Sequence, residues 1–394
     1  DFFSRSSSGV EEEHAFVDAL LRQLEHFLEI LQVRRIDTVY IGGGTPNSLD
    51  PWVFEKLISG ISRNLQPLGP GEWTVELNPE FVEEDQLRLL RDRGVNRLSV
   101  GIQSFSPDAL QLLGRRATVE QNRGALEVIR RIWPGDWNLD LISLLPGQDA
   151  VAALEDLGKA LSFHSPHLSL YGLGIEERTP LYALYQRGGI RPLEQNVQAD
   201  MLLRMWDLLD RSGYRHYEVS NFALPGHESR HNRHYWRLDP YLGLGPGAVS
   251  TLASNRHPLR LSGTPDIEGY IRSYRNAVQA DSLELLGYEV EEIEYWDFMF
   301  EYLMMGLRTR PGVEPERFEE IFDVPLLDIL SPGRGSEFGE LLSVDSSGSL
   351  YLDDPAMLTL DRLLSQVWDV LQSFKQERPS RIETGEATLK WYSR

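Results

Sequence analysis

The sequence predicts an α/β fold, a partial (β/α)6 TIM-like barrel followed by a C-terminal winged-helix-like α+β domain. Three observations predict it. Short runs rich in Val, Ile, Leu and aromatic residues alternate with amphipathic stretches at the spacing of parallel βα units. Unusual polar residues gather at the C-terminal ends of those runs, where barrel sites form. The alternation stops near residue 223, and the later pattern reads helix, helix, hairpin, helix.

The elements follow in order. Residues 14–31 place Phe16, Leu20, Leu24, Phe27 and Leu31 three and four apart, which is one apolar helix face. A strand at 38–41 precedes a Gly turn and a helix at 53–65; a strand at 73–78 precedes a helix at 84–93. A strand at 97–103 precedes helical stretches at 107–115 and 119–132. Strands at 138–144 and 167–173 precede helices at 151–163 and 196–212, and a sixth strand at 214–222 closes the series. Parallel strands covered by helices are expected to be nearly continuously apolar. Residues 255–286 read as an irregular connection. Helices at 291–308 and 318–330, a hairpin at 341–353 turned at Ser346-Ser-Gly348, and a helix at 358–374 form the second domain. The expected domains are therefore 1–223 (barrel), 224–286 (connection), 287–375 (C-terminal domain) and 376–394 (flexible tail).

Composition narrows the function. The 394 residues carry 39 Lys and Arg against 60 Asp and Glu, a net charge of −21, which disfavours nucleic acid as a partner. No run approaches the roughly 18–20 apolar residues that span a bilayer, and no secretory leader opens the chain, so a cytoplasmic protein is expected. Peripheral membrane contact and oligomeric state stay open. Cysteine is absent, which excludes disulfides, a Cys zinc site, a Cys nucleophile and a thiolate-held iron–sulfur cluster within these residues. The chain opens on Asp1 rather than Met, so an upstream segment is expected.

Four constellations carry chemistry. Gly42-Gly-Gly-Thr-Pro46 follows a strand and exposes backbone N–H groups to an anionic ligand, or is simply a tight turn; it matches neither GxGxxG nor a Walker A loop. Glu76, Asn78, Gln103, Arg115 and Asp140 converge on one rim in the barrel arrangement. Separately they read as a surface ion pair (Glu76 with Arg115), turn formers (Asn78, Asp140) and a strand-end cap (Gln103); together they read as a binding site. His227-Glu-Ser-Arg-His231 has the HExxH spacing of zinc hydrolases, but Pro225-Gly226 just before it argues against the long helix that motif needs. His231-Asn-Arg-His-Tyr-Trp236 offers an axial iron ligand beside aromatic walls, or else a hydrogen-bonded histidine in an aromatic loop packed on the barrel mouth.

These residues resemble the radical-SAM family of oxygen-independent coproporphyrinogen III oxidases and, within it, the HemW branch of haem chaperones. The resemblance rests on YIGGGTPN from Tyr40, VELNPE from Val75, RLSVGIQSF from Arg97, LGRR from Leu113, NLDLISLLPGQ from Asn138, HLSLYGLGIEERTPL from His167, YEVSNFALPG from Tyr217, HNRHYW from His231 and YLMMGLR from Tyr302. It covers nearly the whole chain. It implies that Gly43, Gly44, Thr45, Glu76, Gln103, Arg115 and Asp140 hold S-adenosylmethionine, and that His231, with Asn232, Tyr235 and Trp236, contacts haem, His231 being the candidate iron ligand. A 4Fe–4S cluster is implied only for a chain carrying the family's CxxxCxxC motif. That motif lies just before a segment like Asp1-Phe-Phe-Ser4, so the cluster loop and the first barrel strand are expected upstream, leaving an open edge beside 38–41. Two further departures are Leu144, where many relatives have Gly, and Ala117, where His is frequent.

The expected function is that of a HemW-like chaperone delivering haem to client haem proteins. HNRHYW and Ser104, where the oxidases tend to carry Asp, favour this over the alternative, oxidative decarboxylation by a coproporphyrinogen III oxidase. A second alternative is a cluster-free haem-binding scaffold. Without cysteine these residues cannot perform the radical chemistry.

Overall fold

The computed structural model describes residues 9–252, 258–276, 288–330 and 337–377. The expectations for Asp1-Phe-Phe-Ser4 and for most of the 376–394 tail lie outside the described residues. The chain divides into two compact units, one of residues 1–216 and 220–231, the other of 217–219 and 232–394.

The first unit opens with helix α1 (Val10–Ile30) and then alternates β1 (Thr38–Ile41), α2 (Pro51–Leu65), β2 (Glu72–Leu77), α3 (Glu84–Asp92), β3 (Arg97–Gln103), α4 (Pro107–Leu112), α5 (Val119–Ile132), β4 (Asp136–Ser143), α6 (Ala150–Leu161), β5 (His167–Gly172), α7 (Pro180–Gln186) and α8 (Gln195–Arg211). Local chemistry sets the boundaries. Asp50 accepts from the Trp52 N–H, with Pro51 opening α2, and Thr118 with Gln121 forms a capping box on α5. The strands β1 to β5 are parallel neighbours in sequence order.

Two expectations about this sheet are corrected. The segment 214–222 is not a sixth parallel strand: it forms β6 (Arg215–Glu218) and β7 (Asn221–Ala223), and β7 pairs antiparallel with β5, giving a seven-stranded sheet ordered β1-β2-β3-β4-β5-β7-β6. Nor are the strands continuously apolar. Val75, Leu98, Val100, Leu139 and Leu168 are buried on the face covered by the helices, whose Phe54, Ile58, Leu126 and Leu157 are buried too. The alternate positions are polar: Thr38 and Tyr40, Glu72, Thr74 and Glu76, Arg97 and Ser99, Asn138 and Asp140, His167 and Ser169. The strand period of two puts these on the opposite face, so helices cover one face only.

The second unit takes in most of helix α9 (Arg230–Trp236), where an aromatic loop was expected. The region read as an irregular connection holds structure in its described part: β8 (Val249–Leu252) and β9 (Leu259–Gly263) pair antiparallel, α10 (Ile267–Asn276) follows, and β10 (Tyr288–Glu292) completes a three-stranded sheet ordered β10-β9-β8. Then come α11 (Tyr295–Gly306), α12 (Pro315–Phe322), α13 (Leu326–Ile329), α14 (Glu337–Leu341), the hairpin β11 (Leu342–Val344) and β12 (Leu350–Leu352), α15 (Asp354–Met357) and α16 (Leu360–Glu377). Tyr295, Tyr302, Phe318 and Phe322 form its aromatic core, and Arg260 is bonded through both terminal nitrogens to Glu301 at 3.1 and 2.9 Å.

Candidate functional site

The C-terminal ends of β1 to β3 carry the Gly-rich turn and its support. Glu76, on β2, lies beneath the turn: Tyr40 Oη donates to its Oε1 at 2.6 Å and the Gly43 N–H to its Oε2 at 3.1 Å. A Cβ on Gly42 would sit 2.5 Å from the Glu76 carboxyl carbon, so any larger residue there must push the carboxylate aside. Gly43 has φ 84°, and a Cβ on either Gly43 or Gly44 would meet nothing within 4 Å. Both residues are exposed, and Thr45 is half-buried. The turn is tied to the next strand end by a reciprocal clamp. The Asn47 amide donates to the Asn78 carbonyl at 3.0 Å, and the Asn78 N–H donates to Asn47 Oδ1 at 2.9 Å.

Behind the rim runs a polar belt. Glu76 is in register with Ser99, Ser99 with Asn138, and Asp140 with Ser169. Ser99 donates to Asp140 Oδ2 at 3.1 Å, the Asn138 amide to Asp140 Oδ1 at 2.7 Å, and Ser169 to Asn221 Oδ1 at 2.6 Å. Burial pushes the Asp140 carboxyl above the usual carboxylate range, against the pull of these hydrogen bonds and of the Arg115 charge. Burial likewise raises Glu76, with the nearby Asp140 charge adding to it, and pushes the Tyr40 phenol well up. His167 Nδ1 contacts Asn138 Oδ1 at 2.6 Å; burial, then the Arg97 charge, depress this histidine well below its ordinary value, so it is neutral.

The opposite ends of the strands are closed. The backbone N–H groups of Arg230 and His231 donate to the Glu72 carboxylate at 3.0 and 2.9 Å. His227 Nδ1 contacts Asp136 Oδ1 at 2.6 Å, and Arg97 Nη1 donates to the His227 carbonyl at 3.1 Å. Arg97 Nη1 also lies 3.7 Å from both Glu72 and Asp136, with side-chain exposure of 4% for Arg97 and 8% for Glu72. His231 Nδ1 contacts Thr38 Oγ1 at 2.9 Å, and its ring stacks on Tyr40 with centroids 4.9 Å apart and planes at 19°.

The structure thus brings Gly43, Glu76, Asp140 and Arg115 into one electrostatic group, with Gly44 and Thr45 on the same turn. Gln103 ends β3 in the left-handed region, φ 67°, and is buried. Three readings of single residues are corrected. Glu76 is held by Tyr40 and Gly43 rather than by Arg115. Asp140 is a half-buried mid-strand residue, not a turn former. His231 lies beside Thr38 and Glu72 at the starts of β1 and β2, not at the barrel mouth, because the Glu72 carboxylate receives the start of α9 there. Asn232, Tyr235 and Trp236 continue along α9, and Tyr235 packs on Tyr241. His227 precedes that helix, so the HExxH histidines share no helix. Among the described residues no group of three or more His, Cys, Asp or Glu side chains is arranged to hold a metal ion. Tyr40, Asn47, Ser99, Asn138 and Ser169 were missed; for all but Asn47, which lies in the turn after β1, the signal was polar residues at every second position of successive strands.

The seven-stranded sheet with its polar inner face and glycine-turned rim is a radical SAM fold. The chain matches the Radical SAM superfamily over residues 6–158. It also superposes on the solved structure of "Coproporphyrinogen III oxidase (HemN) from Escherichia coli", with a TM-score of 0.73 and 20% identity, covering 94% of this chain and 86% of that one. "Heme chaperone HemW" of Lactococcus lactis is 33% identical over 308 residues, 78% of this chain and 77% of that protein. The Escherichia coli protein of the same name is 31% identical over 361 residues, 90% of this chain and 92% of its own length. The chain belongs to the HemW family of radical SAM proteins.

That family uses S-adenosylmethionine and a 4Fe–4S cluster in general, and the residues here fit the two differently. The open space above Gly43 and Gly44 and the carboxylate beneath them suit a ligand with ammonium and ribose groups. No cysteine stands among the 394 residues, so they supply no thiolate to a cluster.

Proposed function

We propose that this protein binds haem through His231, holds S-adenosylmethionine at the C-terminal rim, and passes haem to client haem proteins, in the cytoplasm. What supports the haem half most is the seating of His231. With Nδ1 engaged by Thr38 and the ring laid on Tyr40, the imidazole is held in one orientation, as second-shell partners hold a ligating histidine, and iron ligation falls to Nε2. Asn232, Tyr235 and Trp236 follow on the same short helix. Relatives named haem chaperones over most of the chain's length point the same way.

At the rim, S-adenosylmethionine supplies an adenosyl group and a cationic sulfonium. Gly43 and Gly44 offer backbone to the amino-acid end, Thr45 a hydroxyl, and Glu76 a carboxylate for the ammonium. Asp140, Arg115 and Gln103 would hold the remaining polar groups. Ser99 and Asn138 fix Asp140, and Tyr40 and the Gly43 N–H fix Glu76, before the ligand arrives, which lowers the ordering cost of binding.

Haemin titration followed by Soret absorbance tests the reading. His231→Ala is expected to shift the band and weaken haemin binding at least tenfold. An unchanged band and affinity would sink the haem assignment.

A further inference from the structure

Strand β3 reaches the rim through an irregularity. Val100 is in register with Leu139 and Gln103 with Leu141, so between them β3 carries one residue more than β4, a bulge just before the strand end. At Gln103 the chain reverses tightly: φ is 67°, and the Ser104 N–H donates across it to the Ile102 carbonyl at 2.8 Å. A hydrogen bond closing over a single residue of positive φ is the rare, strained form of γ-turn. For glutamine that conformation is unfavourable and persists only where the surroundings impose it. Two side chains from the covering helices do so. Asn122, on α5, donates through Nδ2 to the Ile102 carbonyl at 3.0 Å and to the Ser104 carbonyl at 3.1 Å, bracketing Gln103 from both sides. Both neighbours are acceptors, so the amide nitrogen must face them, and among the described residues Asn122 Oδ1 has no hydrogen-bond partner. Asp156, on α6, accepts from Ser104 Oγ at 2.6 Å and from the Phe105 N–H at 2.8 Å, while Ser104 Oγ accepts the Ser106 N–H at 3.0 Å. Asn122, Ser104 and Asp156 are all buried. The turn swings the Gln103 amide back over β3, where a Cβ on Gly101 would lie 2.9 Å from its Nε2.

We propose that Asn122 and Asp156 are positioning residues that hold the strained turn at Gln103 and so keep its amide in place for S-adenosylmethionine. This rests on the reading of the rim given above. Bonds that merely packed α5 and α6 onto the sheet need not converge on the peptides before and after one residue. Nor is a buried asparagine favoured where both its N–H groups are used and its oxygen is left unpaired, unless those two carbonyls are what it serves. Released from the clamp, Gln103 relaxes to a negative φ, and its amide is redirected away from the rim. Strain stored at one residue is in this way held by two buried side chains that stand outside the polar face of the sheet.

Calorimetric titration of S-adenosylmethionine into the full chain and its variants tests this, with thermal unfolding of each as a check on folding. Gln103→Gly takes the turn without strain but has no amide, and is expected to bind about tenfold more weakly. Asn122→Ala and Asp156→Ala are each expected to bind at least fivefold more weakly. Asp156→Asn still accepts the Phe105 N–H and should stay within twofold of the unsubstituted chain. The deciding readout is the double-mutant cycle: added to Gln103→Gly, Asn122→Ala should weaken binding less than twofold further, because the amide it positions is already gone. A fivefold loss in both backgrounds would mean that Asn122 supports the fold at large, and overturns the proposal, as does an unchanged affinity in Asn122→Ala. Should Asn122→Ala fail to fold, Ser104→Ala decides. It removes the hydroxyl between Asp156 and the Ser106 N–H with little change of volume, and an affinity equal to that of the unsubstituted chain overturns the proposal. If Gln103→Gly binds as tightly as the unsubstituted chain, the rim reading of Gln103 falls and the proposal with it. A loss in Gln103→Gly with none in Asn122→Ala or Asp156→Ala sinks the clamp alone.

Discussion

At the C-terminal ends of β1 and β2 the backbone turns through glycines with open space above them, and a carboxylate is held beneath by one phenol and one N–H. At the N-terminal ends of β2, β3 and β4 the segment 227–231 is bonded down onto Glu72, Arg97 and Asp136, and Arg97 and Glu72 are almost fully buried. One strand thus ends in a surface prepared for a ligand and begins in a closed ionic cluster. The difference teaches where substitutions should cost stability and where they should cost binding.

The largest effect is expected at the closed end. Arg97→Leu leaves Glu72 and Asp136 without their shared cation and removes the donor to the His227 carbonyl; losing one member of a buried charged cluster costs about 3–5 kcal/mol. Urea unfolding should show that loss, and a change below about 1 kcal/mol would mean the cluster is solvated. Next is Gly42→Ala. Its Cβ must displace the Glu76 carboxyl, an overpacking cost of about 1–3 kcal/mol, and S-adenosylmethionine affinity should fall with it.

A smaller, graded effect belongs to pH. His167 is neutral in the fold because burial depresses it, whereas in the unfolded chain an imidazole titrates near pH 6.5. As pH falls below that value the unfolded state takes up a proton that the folded state refuses. Stability is therefore present above about pH 6.5 and lost below it, at up to about 1.4 kcal/mol per pH unit. Glu76 and Asp140 have raised values and act oppositely: their contribution is fullest at low pH and is lost as pH rises through their folded values. Unfolding curves at a series of pH values should show the histidine slope in the unsubstituted chain and its absence in His167→Gln.

Much of the first unit was legible because its cues are local. Strands at Thr38–Ile41 and Arg97–Gln103 and the helix at Val119–Ile132 stand where the alternation of apolar runs and helical stretches put them. What escaped is non-local. Helix α9 has seven residues, too few for a periodic signal, and its first N–H groups are received by a carboxylate 158 residues earlier. Strand β10 pairs with β9 across more than twenty residues of intervening chain. The rim residues Glu76 and Asp140 were identified from their residue types, but Tyr40 and Ser99 were passed over because the strands were taken as nearly continuously apolar. Leu144 is instructive too: a departure from glycine in sequence, it is a buried leucine at φ 62°, a left-handed conformation that glycine adopts without strain.

The finest discrimination comes from two glycines two residues apart. Gly44→Ala adds a methyl group to open space at a residue outside the left-handed region, so stability should change by no more than about 0.5 kcal/mol, unlike Gly42→Ala. If ligand backbone contact at the turn is what glycine serves, S-adenosylmethionine affinity should still fall at least fivefold, because the methyl group occupies the space the ligand needs. Thermal unfolding and calorimetry on the same preparation separate the two readouts. A Gly44→Ala chain that keeps both its stability and its affinity would mean the ligand approaches elsewhere on the rim, leaving Gly42 and Glu76 as a packing pair rather than the floor of a site.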